Sequence, residues 1–137
     1  MFAIKVTVLY SFDKPGKPPL LLDELIDIAN KLMEESGEFT DSELRYGIRL
    51  HKRKRILVLI RQVYFKMARD MGYSIEGIGK SLIIPGLKNN KGFNHATVLH
   101  ACTNVENLID SKFKPLVDIY NKFNNEIIKK YGNDGDV

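Results

Sequence analysis

A chain of 137 residues with 44% apolar content is the size of one ordinary domain and can bury a core. Its single cysteine, Cys102, excludes an intramolecular disulfide framework, and no run approaches the roughly 18 apolar residues of a membrane span. The net charge of +4 hides two opposed blocks: Leu20 to Glu43 carries eight acids and one lysine, a net −7, whereas Leu44 to His100 carries twelve Lys/Arg and two acids, a net +10.

Residues 2–10, "FAIKVTVLY", alternate with period two and are rich in β-branched and aromatic side chains, which predicts a strand with no evident partner later in the chain. Three prolines in Pro15-Gly16-Lys17-Pro18-Pro19 then predict a linker. Leu21, Leu22, Leu25, Ile28, Ala29 and Leu32 recur at helical spacing on the acidic background, giving an amphipathic helix that ends near Gly37. Thr40-Asp41-Ser42-Glu43 has the form of a capping box. The element it opens is expected to run through the cluster Arg49–Arg55 into an apolar helix that Gly72 stops. Ile60, Val63, Met67 and Met71 line one face of that helix, and Arg61, Lys66 and Arg69 lie outside the stripe.

Ser74 is a natural N-cap for a short helix carrying Ile75, Ile78 and Leu82, which Pro85-Gly86 ends in a loop reaching Gly92. Asn94 can cap the next helix. On that helix Val98, Ala101, Cys102, Val105, Leu108 and Ile109 fall on one side, with Ala96, His100, Thr103 and Asn107 opposite. Pro115 suits a first turn, and Leu116, Tyr120, Phe123, Ile127 and Tyr131 mark a last helix that Gly132 terminates. The divisions expected are 1–43 (strand, linker and acidic helix), 44–132 (a basic helical domain) and 133–137 (a tail).

"SIEGIGKS", Ser74 to Ser81, ends like a phosphate-cradling loop, but such a loop needs a glycine where Ser74 stands and a buried strand before it. It reads instead as a short helix and its exit. His95 and His100 lie about 140° apart on a helix and Cys102 belongs to the apolar face, so no tetrahedral metal set forms. The basic module has no paired carboxylates. No enzyme, cofactor or metal is expected, and a basic module asks for a polyanion.

The run from Lys52 to Ile109 resembles the C-terminal DNA-binding domain (domain IV) of the bacterial replication initiator DnaA. The residues that carry the resemblance are "KRKR" followed by Arg61-Gln62, "MARDM" (Met67–Met71), "SIEGIG" (Ser74–Gly79) and above all "NHATVLHA" (Asn94–Ala101). It implies a mainly α, TrpR-like helix-turn-helix bundle, here with an N-terminal strand and an extra acidic helix, that binds double-stranded DNA sequence-selectively in replication or transcription control. The resemblance assigns Arg53 to the minor groove, Arg61 and Arg69 to the phosphate backbone, and Asn94, His95, Ala96 and Thr97 to base reading.

With Lys52, Lys54, Arg55, Ser74, Ile75, His100 and Asn104 these make up the expected DNA-facing set. Three residues depart from the family: Ala96 stands for threonine, Phe93 for arginine and Asn104 for a basic residue, and the segment between Ile78 and His95 is about eight residues longer. The ATPase half of DnaA is absent from the sequence. A stand-alone, cytoplasmic regulator without membrane contact is expected. A second reading makes residues 1–50 a docking segment for a protein partner or a second copy, with only non-specific DNA affinity.

Overall fold

A computed structural model describes residues 20–84, 86 and 92–135, without the side chains of 131–135. The strand expected at 2–10 and the linker at 15–19 lie outside the described residues. Within them the chain is helical: α1 (Leu22–Ser36), α2 (Asp41–Tyr46), a 3-10 turn (Gly47–Arg49), α3 (Arg55–Asp70), α4 (Ile75–Lys80), α5 (His95–Asp110) and α6 (Lys114–Gly135). None of these helices is long and apolar enough to cross a membrane.

Local chemistry explains most starts and stops. The Glu24 carboxylate accepts from the Leu21 amide at 2.8 Å, and Gly37 closes α1 in the left-handed region at φ 71°. At α2 the capping box forms reciprocally: Thr40 Oγ1 accepts from the Glu43 amide at 3.2 Å, and Glu43 Oε1 accepts from the Thr40 amide at 2.8 Å. Ser74 Oγ and Asn94 Oδ1 accept from the Gly77 and Thr97 amides and open α4 and α5.

Four expectations about the elements are corrected. No single element runs from Thr40 into the apolar stretch, because Gly47 turns the chain at φ 62° and residues 50–54 are not helical. A side chain at Gly47 would also strike Asn30, whose Oδ1 accepts from the Ile48 amide at 3.0 Å. Leu21 caps α1 from solvent instead of joining its buried face. The short helix ends at Lys80, so Leu82 is buried beyond it, and α6 continues past Gly132 to Gly135.

α3 is the central helix. Leu57, Ile60, Val63, Tyr64, Phe65, Met67 and Ala68 are all buried, and α1, α4, α5 and α6 pack around them. Gln62 and Lys66 reach α5, whereas Ile56 and Ile60 line a small cleft with Leu32 of α1, so α1 and α5 occupy different faces of α3. Val98, Ala101, Cys102, Val105 and Ile109 bury the inner face of α5, and Leu116, Tyr120, Phe123 and Ile127 that of α6. A Lys31–Glu126 pair at 3.1 Å ties α1 to α6.

Candidate nucleic-acid interface

The basic cluster becomes an irregular arm, residues 50–54, between the 3-10 turn and α3. Its root is held by Arg61. The Nε of that residue donates to the Ile48 carbonyl at 3.0 Å and its Nη2 to the Leu50 carbonyl. Arg61 is only 7% exposed, and burial lowers its pKa to about 10, still well above neutral. The expectation that Arg61 meets DNA phosphates is therefore corrected: two backbone carbonyls that lack helical partners have recruited it inward.

The remaining cations differ in how committed they are. Lys52 pairs with Glu43 at 2.9 Å and Lys54 with the same carboxylate at 3.7 Å. Lys54 also donates to the Glu38 carbonyl and lies 4.6 Å over the Phe39 ring. The Thr40 amide first, then Lys52, hold the Glu43 carboxyl down to about 2. Arg53 is exposed and makes no hydrogen bond or ion pair among the described residues. Arg55 sits 5.1 Å over Phe113, and Arg69 is exposed with Nη1 on the Tyr73 carbonyl at 3.1 Å.

On α5 the residues His95, Ala96, Thr97, Leu99, His100, Thr103 and Asn107 face solvent. Glu106, an acid near them, is paired with Lys66 at 2.9 Å. Asn94 is exposed, but its oxygen caps the helix, leaving only its NH2 to donate outward. One further member of the expected set is corrected: Ile75 is buried in the core, so its side chain has nothing to offer a duplex. Asn104 is half-exposed and gives one N–H to Gln62 Oε1 at 2.9 Å, which leaves its other N–H and its oxygen. Ser74 is exposed with its hydroxyl engaged as a cap.

Arm and helix meet although some forty residues separate them in sequence. Arg53, Arg55, Val58, Gln62, Asn104, Leu108 and Phe113 line one open groove between the start of α3 and the end of α5. At the other end His51 stacks on Phe93, the residue before the α5 cap. A second groove at the start of α5 is lined by Glu76, Lys80, Phe93, Asn94 and His95.

"GIGKS" has a structural use in each part. Lys80 pairs with Glu76 at 2.8 Å, and the Ser81 hydroxyl meets Tyr64 OH at 2.6 Å, whose pKa burial pushes up to about 12. Gly79 faces the Phe93 carbonyl so closely that a Cβ would clash. The segment follows α3, not a strand. His95 and His100 point outward while Cys102 is buried, so the three do not converge, and the described residues hold no cluster of three metal-ligating side chains.

His51, Phe93 and Leu99 escaped sequence reasoning as parts of this surface. Leu99 is half-exposed because its wheel position lies on the side of Ala96 and Thr103. Compared with known proteins, the chain matches no family model, no curated protein and no solved structure.

Proposed function

We propose that the protein binds double-stranded DNA sequence-selectively, with α4 and α5 acting as a helix-turn-helix of the DnaA domain IV kind and the 50–54 arm reaching an adjacent minor groove. It would serve in replication or transcription control. The observation that carries this reading is the outward face of α5 from His95 to Thr103, which is free of acids and presents His95, Thr97, His100 and Thr103 beside the half-exposed Leu99, while the exposed cations Arg53 and Arg55 line a groove with Asn104 and Leu108 further along the same helix. His95, Thr97 and His100 offer donors and acceptors to base edges, and Ala96 offers a methyl suited to a thymine methyl. An unpaired arginine on an irregular arm suits the negative potential of a narrow, A/T-rich minor groove.

Lys52, Lys54 and Arg69 add phosphate contacts, the first two by exchanging Glu43 for a phosphate. With Arg53 and Arg55 this makes about five contacts, so log K should fall against log salt with a slope of about −4 to −5. The test joins that titration to a selection from randomised duplexes. An enriched motif together with the steep slope supports the reading. A flat slope overturns it, and tight binding with no motif leaves only the docking reading of residues 1–50.

A further inference from the structure

Three separate parts of the chain meet on Phe93. Its ring stacks on His51 of the arm with centroids 4.7 Å apart and planes 18° apart. It takes Phe65 of α3 edge-on at 5.6 Å and lies beneath the Arg61 guanidinium at 4.9 Å. The Phe93 amide donates to the Gly79 carbonyl at 3.1 Å, which fixes the backbone at the point where the chain enters α5.

Position in sequence gives this cluster its meaning. His51 stands two residues before Arg53, and Phe93 stands directly before Asn94, so each partner of the stack is next to one of the two proposed DNA-reading elements. Arg61 closes the unit, since the group that lies over Phe93 also binds the carbonyls of Ile48 and Leu50 at the root of the arm. His51 is exposed and Phe93 is only half-buried, so the stack sits at the surface and can be broken without opening the core. An arginine at position 93 would add a charge for phosphate, but no aromatic platform shared by His51, Phe65 and Arg61.

We propose that His51 and Phe93 form a clamp that sets the register between the arm and α5, so that the protein reads a minor-groove and a major-groove half-site at one fixed spacing. This rests on the DNA-binding reading above. Two contacts on a rigid link reinforce each other only at the matching separation, whereas a loose link tolerates several. Phe93 and His51 are positioning residues here. Neither needs to touch DNA.

The experiment inserts one base pair between the two half-sites of the selected motif, which moves them apart by about 3.4 Å and turns them by about 35°. Wild type should lose about tenfold or more in affinity on insertion, because only one half-site can then be engaged. His51→Ala and Phe93→Leu should bind the original site less tightly and lose no more than about threefold on insertion, since their halves are already uncoupled. Phe93→Tyr keeps the ring and should behave as wild type.

His51→Ala removes an exposed side chain, so it carries the test even where Phe93→Leu loosens the fold. Both variants paying the full wild-type penalty would overturn the clamp while leaving DNA binding intact. A wild type that enriches no motif overturns the DNA-binding reading and the clamp with it.

Discussion

Arg61 and Arg53 lie eight residues apart in one basic stretch and have opposite fates. Arg53 stands in solvent, whereas Arg61 is folded under the arm with two carbonyls on its guanidinium. Hydrogen bonds to a charged donor are worth more than neutral ones, and Arg61→Ala would leave both carbonyls without their partner. We expect Arg61→Ala to lower stability by about 2–4 kcal/mol, read from denaturant midpoints. Arg53→Ala should change stability by no more than about 0.5 kcal/mol and act on DNA affinity instead. Equal stability for the two variants would contradict this division. Periodicity placed Arg61 outside the apolar stripe, but in the fold it lies within the buried face of α3, beside Tyr64, Phe65 and Ala68. What turned it inward are the Ile48 and Leu50 carbonyls of the preceding turn, partners outside α3 that helical periodicity does not register. The packing of Phe93 was out of reach of the sequence for the same reason, since its partners His51, Phe65 and Arg61 all come from segments distant in the chain.

At the scale of elements the caps were legible. Thr40, Ser74 and Asn94 each bond the amide three residues on, as their types and spacing required. Where a helix had no cap of its own, as at Lys54 before α3, the sequence ran two elements together. Glu43 links the α2 cap to the arm, and its titration provides a test. Its carboxyl is held at about 2 in the fold against an ordinary 4.5, by the Thr40 amide and then by Lys52. The stabilisation is therefore fully present above pH 4.5 and is lost as pH falls from 4.5 towards 2. Measured by denaturation, wild type should exceed Glu43→Gln at neutral pH, and the gap should close across that acid window. A gap that stays constant down to pH 2 would mean that Glu43 acts through shape, not charge.

For the whole molecule, the charge asymmetry seen in the sequence becomes a spatial one. α1 carries exposed Asp27, Glu34 and Glu35 on one face of α3, and α5 lies on another. An acidic back repels any duplex that approaches from the wrong side, so it favours the proposed reading face without touching DNA. Replacing Asp27, Glu34 and Glu35 by their amides should raise non-specific DNA affinity about threefold at low salt. The effect should vanish near physiological salt, where screening acts over about 8 Å. Loss of sequence-selective binding in that variant, measured by competition, would place α1 in the interface instead.

The glycine contact between α4 and the entry to α5 has one more consequence. Gly79 and Gly92 approach backbone to backbone, and a Cβ on either would strike the other strand of the contact. Since the Phe93 amide also donates to the Gly79 carbonyl, the aim of α5 is set by that seam. Alanine at either position would have to wedge the end of α4 away from the entry to α5, and so would turn α5 without altering any residue of that helix.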